Sequence, residues 1–284
     1  MKKFLRGVHK FSSSWIGTII IVFFLIFFVI QSFVIPSGSM KRTMQIGDFL
    51  FAKKFVYGTP IPTLPWLEIP LVPDFNNNGH LIEGDRPKRE DIVIFLYPGD
   101  GKTHYVKRCV AVGGDELVYQ NKHLYIHFHE GDDYIKKNYP SGKILKFRGK
   151  LWVDNPYKER YPGIQYVPNG HEDIFKLLMK NYLYVTKGID MSPTFIPEIK
   201  GEVFDIRGEN VNALYKKVEK DHFYMIGDNR DNSNDSRFWG SVPYSLIIGQ
   251  PWLIYFSWDN DTKKVRWDRV GRFVNDIQYE EPRY

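Results

Sequence analysis

The sequence predicts a mostly β fold: an antiparallel-sheet body, interrupted by a smaller inserted domain and preceded by one transmembrane helix. Three observations lead there. Aromatic residues make up 16% of the 284 positions, and 23 Gly and 17 Pro punctuate the chain, which suits short strands and turns over long helices. Apolar runs of strand length recur at 91–97, 104–112, 223–226 and 252–256. One uncharged apolar stretch, close to the start, reaches the length a bilayer needs, and no second one does.

Size and charge narrow the classes. With 43% hydrophobic and 25% charged residues the chain lies in the globular range and can hold one or two folded units beyond an anchor. Its net charge of +6 suits an anionic membrane surface. The lysines are spread along the chain with no basic run, so no nucleic-acid partner is expected. A single cysteine, Cys109, rules out an intramolecular disulfide; set in the apolar run 106–112, it reads as a small buried hydrophobe.

The anchor comes first in the chain. No charged residue occurs from Phe11 to Met40, and Trp15 to Ile30 is nearly continuous hydrocarbon, extended by Phe33-Val-Ile35. About 20 helical residues cross the bilayer core, so 15–35 is assigned as one spanning helix. A cleaved signal peptide would have a shorter apolar core and a small-residue exit, whereas Gln31-Ser-Phe-Val-Ile-Pro36 offers no Ala-x-Ala. Lys2, Lys3, Arg6 and Lys10 precede the helix and predict a cytoplasmic tail at 1–14. A long folded domain translocates largely regardless of its charge, so the bulk of the chain is expected outside.

Beyond the anchor, residues 46–57 read as a strand preceded by a turn, and the proline-rich 58–88 as loop with little regular structure. Asp91–Tyr97 and His104–Val112 are strands, each closed by Gly-containing turns, and Leu117–Phe128 is a hairpin around Gln120-Asn-Lys122. One short helix is expected at Glu172–Asn181, with Asn169 as N-cap. The inserted domain is placed at 120–220, which divides the main β domain into 36–119 and 221–284.

Three segments carry chemistry. Pro36-Ser-Gly-Ser-Met40 is a small turn that exposes hydroxyls and backbone N–H groups, as a nucleophile with an oxyanion hole requires, although alone it reads as linker. In Tyr105-Val-Lys-Arg-Cys-Val-Ala-Val112, a period of two puts Lys107 on one face with Tyr105, Cys109 and Ala111. Burial on such a face favours the neutral amine and turns lysine into a base near neutral pH. The third, Gly227 to Gly240, is dense in Asp, Asn, Ser and Arg, the makings of a hydrogen-bonded loop. As a calcium loop it fails, since Ser236 and Val242 stand where Gly and Glu are needed.

In this order the three segments resemble the type I signal peptidases, the membrane proteases that remove signal peptides from exported proteins. Pro36–Met40 with Thr43, Gly47 and Asp48 resembles the family's serine box. Arg89 with Asp91–Phe95 is similar to its strand box, Tyr105–Arg108 with Gly114-Asp115 to its lysine box, and Gly227–Gly240 with Val242-Pro243 to its longest motif. The resemblance implies Ser39 as nucleophile and Lys107 as general base. It implies Ser37 as an oxyanion donor, Ser236 as the group that orients Lys107, and Asp228, Arg230, Asp235 and Arg237 as support for the loop. Ile35, Pro36, Met40, Met44, Tyr105 and Val106 would line a small apolar pocket. Arg42, Glu90 and Gly113 depart from the family's usual Pro, Gly and Pro.

The implied partners are signal peptides of exported preproteins, the lipid bilayer and, functionally, the secretion channel; no metal or organic cofactor is implied. Such an enzyme would sit in the cytoplasmic membrane as a single-pass protein facing outwards. Exposed aromatics, Phe33 and Trp239 among them, would dip into the interface. Rival readings are weaker. A Ser-His-Asp hydrolase lacks Gly-x-Ser-x-Gly around Ser39. A self-cleaving Ser-Lys repressor peptidase would not need the anchor, and His123-x-x-x-His127-x-His129 would be a metal site only as an uncommon strand arrangement. An anchored extracytoplasmic β-rich binding or scaffold domain explains the anchor but not the ordered Ser, Lys and Asp/Ser/Arg segments.

Overall fold

Alternation of buried and half-buried side chains along Asp48-Phe-Leu-Phe-Ala-Lys53 marks a strand with one face on a core. The same logic, repeated, builds the molecule. A computed structural model describes residues 7, 9–24, 30–63, 69–166, 173–184 and 189–282. In chain order the strands are β1 (Ile30–Val34), β2 (Asp48–Lys53), β3 (Gly58–Pro60), β4 (His80–Glu83), β5 (Ile92–Leu96), β6 (His104–Val112), β7 (Glu116–Gln120), β8 (His123–His127), β9 (Ile144–Phe147) and β10 (Lys150–Asp154). They continue as β11 (Ser192–Thr194), β12 (Phe204–Ile206), β13 (Glu209–Val211), β14 (Ala213–Lys217), β15 (His222–Ile226), β16 (Val242–Pro243), β17 (Ile247–Asp259), β18 (Lys264–Val265) and β19 (Arg272–Phe273). The helices are α1 (Trp15–Phe24), α2 (Asp132–Asn138), α3 (Ile174–Tyr184), α4 (Ser236–Trp239) and α5 (Val274–Ile277).

The expected mostly β, antiparallel architecture is present. One sheet runs β1-β2-β17-β5-β6-β15-β16, with β18 and β19 on β17; another runs β11-β14-β7-β8-β10-β9. An apolar cluster joins them, from Val110, Ala111, Tyr224 and Ile226 of the first sheet to Leu117, Tyr119 and Ile126 of the second and Phe175 and Leu178 of α3. A second cluster, with Ile35, Met40, Met44, Leu50, Ile94 and Ile254, lies beneath the serine turn.

The sequence-based elements fare unevenly. His104–Val112 forms as expected, and β7 and β8 pair around Asn121-Lys122. The strand expected at 46–57 is confined to β2, and 58–88 contains the β3–β4 hairpin rather than only loop. The helix α2 was not foreseen, and α3 starts at Ile174, while Asn169 and Glu172 lie outside the described residues. The anchor needs the larger correction. Residues 30–34, assigned to the spanning helix, form strand β1, paired antiparallel from Ile30↔Lys53 to Val34↔Phe49. An apolar run suits strand and helix alike, and the open edge of β2 decides for the strand. Among the described residues no helix is long and apolar enough to cross a membrane.

Candidate active site

The serine turn is held from both ends. Before it, Ile35 N–H donates to Asp48 O and Gly47 N–H to Ile35 O, both at 2.9 Å, continuing the β1–β2 pairing. Gly38–Met40 then forms a single 3₁₀ turn, with Lys41 N–H on Gly38 O. Fully buried Met40 and Met44 pin this turn to the core below, which leaves Ser39 itself 8% exposed at the surface of the apolar cluster.

Lys107 comes from β6, a strand enclosed by β5 and β15, so its ammonium cannot escape to an edge. It is 4% exposed. Its Nζ lies 2.8 Å from Ser39 Oγ and also donates to Val106 O at 3.0 Å. Nζ sits 5.1 Å above the Tyr105 ring, which also packs on Trp239 and Tyr97. Burial pushes the Lys107 amine down to about 8, against the opposing pull of the Asp235 and Asp228 charges. A lysine that is partly neutral near physiological pH and touches a serine hydroxyl can take its proton. Ser37 Oγ is 3.4 Å from Ser39 Oγ, and the Ser39 N–H makes no hydrogen bond among the described residues.

The 227–240 loop clamps this pair. Asn229 N–H donates to Ser39 O (3.0 Å) and Asn229 Nδ2 to Gly38 O (2.9 Å). Gly227 allows that approach, because a Cβ there would fall 2.5 Å from the Ser39 carbonyl oxygen. Asp228, wholly buried, accepts two bonds at 2.8 Å from the equally buried Arg108 and one at 2.6 Å from Thr43 Oγ1. Asp235 caps α4 and receives Arg237 Nε and Nη2, each at 2.8 Å. Burial would raise both carboxyls, yet Arg108 and Arg237 hold them below the usual range.

The structure thus brings together Ser39, Lys107, Ser37, Asp228, Asp235 and Arg237. Arg230 is buried, and its carbonyl accepts Arg237 Nη2 at 2.7 Å. Ser236 is different: its Oγ accepts Met225 N–H at 2.9 Å and makes no bond to Lys107. Asp235 is the N-cap, so Ser236 falls in the first turn of α4 and faces β15. Sequence reasoning passed over Ser233, whose buried hydroxyl lies against Gly227, next to the Ser39 carbonyl, and helps hold the Asp235 carboxyl low. The N-cap signal of Asp235 would have separated the two serines.

Of the pocket residues, Ile35, Met40 and Met44 are buried in one cluster with Val106 against it, Tyr105 packs in another cluster, and Pro36 is exposed. Tyr105 and Cys109 share a cluster as the period of two requires, but Ala111 turns to the other core, past an irregularity in the β6–β15 pairing. Trp239, expected among exposed aromatics, is half-buried and packs on Phe95, Tyr97 and Tyr105. The histidine triplet is dispersed: His123 on Asp154, His127 on Leu151 O, His129 on Asp115. Asp115, His129 and Glu130 do converge, but the Arg89 guanidinium fills their midst, 2.6 Å from Asp115 and 2.7 Å from Glu130. That cluster is an ion-pair hub.

A family model described as signal peptidase, peptidase S26, matches residues 8–256. Signal peptidase I of Helicobacter pylori strain J99 is 48% identical over 292 aligned residues, which cover 97% of this chain and 96% of that protein. The protein of the same name from strain 26695 is 47% identical over the same shares. Signal peptidase I of Buchnera aphidicola subsp. Acyrthosiphon pisum is 30% identical, over 87% of this chain and 78% of its own length. These comparisons define a peptidase, an enzyme that hydrolyses peptide bonds. The chain belongs to the signal peptidase family, peptidase S26.

Two measurements probe the site's energetics. Lys107→Met removes a buried charge whose cost is fully present below about pH 8 and gone above lysine's ordinary 10.5. The variant is therefore expected to melt higher than wild type at pH 7, with the gain shrinking as the pH approaches 10.5. Asp228→Ala strands the Arg108 charge and is expected to cost about 3–5 kcal/mol in urea unfolding. Arg108→Met combined with Asp228→Leu should restore much of that loss, since it removes both charges together.

Proposed function

We propose that this chain is a membrane-anchored serine endopeptidase that removes N-terminal signal peptides from exported preproteins through a Ser39–Lys107 dyad. The observation that carries the dyad is the 2.8 Å contact between Ser39 Oγ and the desolvated Lys107 amine. Neutral Lys107 accepts the Ser39 proton as Oγ attacks the scissile carbonyl. The Ser39 N–H and the Ser37 hydroxyl stabilise the oxyanion. Lys107 returns the proton to the departing amine, leaving an acyl-enzyme, then activates the water that releases it. No cofactor enters these steps. Residues 36–119 and 221–284 would form the catalytic domain, with 120–220 as an inserted unit.

The substrate is proposed to bind extended, adding a strand near Ser39, with a small apolar side chain before the cut. The uncharged stretch from Phe11 to Met40 supports an anchor. Within it α1 presents Trp15, Ile16, Ile19 and Ile20 outwards, apolar surface that suits lipid better than water. The N-terminal tail would be cytoplasmic and the catalytic body extracytoplasmic, on the cytoplasmic membrane, near the secretion channel that delivers its substrates.

With purified protein and a preprotein in detergent, Ser39→Ala and Lys107→Ala should each abolish cleavage, and the wild-type rate should climb through about pH 8 as Lys107 loses its proton. Full activity in either variant would refute the dyad. In sealed inside-out vesicles, a C-terminal tag should resist added protease; digestion there would reverse the proposed orientation.

A further inference from the structure

After β10, residues 155–166 leave the second sheet and cross to the catalytic loop. Tyr161 lays its ring 3.9 Å from the Arg108 guanidinium carbon, donates its hydroxyl to the Glu90 carboxylate at 2.7 Å and stacks on Tyr279. Two residues on, buried Gly163 lies so close to Thr43 that a Cβ there would strike Thr43 Oγ1 and come within 3.4 Å of the Thr43 amide nitrogen. Gln165 then pairs with the loop as a parallel bridge: its N–H donates to Asp228 O and its carbonyl accepts Arg230 N–H, both at 3.0 Å. These three contacts fall on one network. Asp228 accepts from both Thr43 and Arg108, and the next residue, Asn229, holds the Gly38 and Ser39 carbonyls.

We propose that Tyr161–Gln165 is a positioning strap, in which Gly163 keeps the Thr43 hydroxyl on Asp228 and thereby fixes where Asn229 holds Ser39. This rests on the reading of Ser39 as nucleophile. The strap touches neither Ser39 nor Lys107 and acts only through Thr43 and Asp228. Thr43 is β-branched and stiff at χ1, so it cannot yield to an added methyl without swinging its hydroxyl off the carboxylate. Asp228, buried and charged, would then lack one of these three side-chain hydrogen bonds and shift on Arg108. Displacing the reacting oxygen by even about 1 Å costs on the order of 100-fold in rate.

The test is a double-mutant cycle of Gly163→Ala and Thr43→Ala in the full chain, with preprotein cleavage and melting temperature read for each. Gly163→Ala should lower kcat about 10–100-fold while KM moves less than about threefold. Thr43→Ala should show a similar loss, and adding Gly163→Ala to it should cost little more, because the colliding hydroxyl is gone. Gly142→Ala, where nothing lies within 4 Å, should leave kcat unchanged. Multiplicative losses in the double variant, a loss confined to KM, or wild-type kcat in Gly163→Ala would each overturn the strap. Should Gly163→Ala fail to fold alone, folding restored by Thr43→Ala supports the proposal and failure in both backgrounds sinks it. Ser39→Ala runs alongside: if it still cleaves, the dyad reading has failed rather than the strap.

Discussion

A fully buried guanidinium must be neutralised where it stands, and the site depends on how Arg108 meets that demand. Its Nε and Nη2 go to Asp228, its Nη1 to Glu90 O and Gln278 Oε1, and its face to the Tyr161 ring. An unpaired charge in that position would cost several kcal/mol, so these partners cannot drift independently. Arg108 follows Lys107 on β6, and Asp228 precedes Asn229, which grips the serine turn. One ion pair therefore sets the strand that carries Lys107 against the turn that carries Ser39.

The same arrangement governs the lysine. Burial disfavours its charge, while Asp235 and Asp228 favour it, and burial prevails. It can prevail because each carboxylate already carries its own bidentate arginine, so Lys107 sees two neutralised pairs rather than two bare anions. The arginines of this loop do more than hold its shape. They keep Lys107 from being locked in its protonated form.

Local pattern was legible in the sequence where neighbours in the chain decide the structure. His104–Val112 was found because alternation and flanking glycines bound it, and the β7–β8 hairpin because Asn121-Lys122 can adopt the positive φ its turn needs. Glu90, at a position where the resembling family usually has Gly, shows φ +80, so the family's preference there reflects backbone conformation. Residues 30–34 form a strand rather than the expected helix because a continuous apolar run carries no period of its own, and pairing with β2 decides between the two. Ser236, assigned by resemblance to orient Lys107, instead accepts the Met225 N–H, because the Asp235 cap sets it in the first turn of α4, a placement that composition cannot show.

By itself the sequence determined the class of protein and singled out the pair of side chains proposed to react: a serine in a small turn and a lysine on an apolar strand, with an Asp/Arg loop, in an order that names a family. Residue types and spacing suffice there, because chemistry restricts which side chains can serve. Only the tertiary structure decided that Arg108 would bind Asp228 across 120 residues, and that Gly163 of the long 120–220 stretch would lie against Thr43. Such contacts arise from close packing of segments distant in the chain, and a glycine needed for want of space looks, in sequence, like any other glycine.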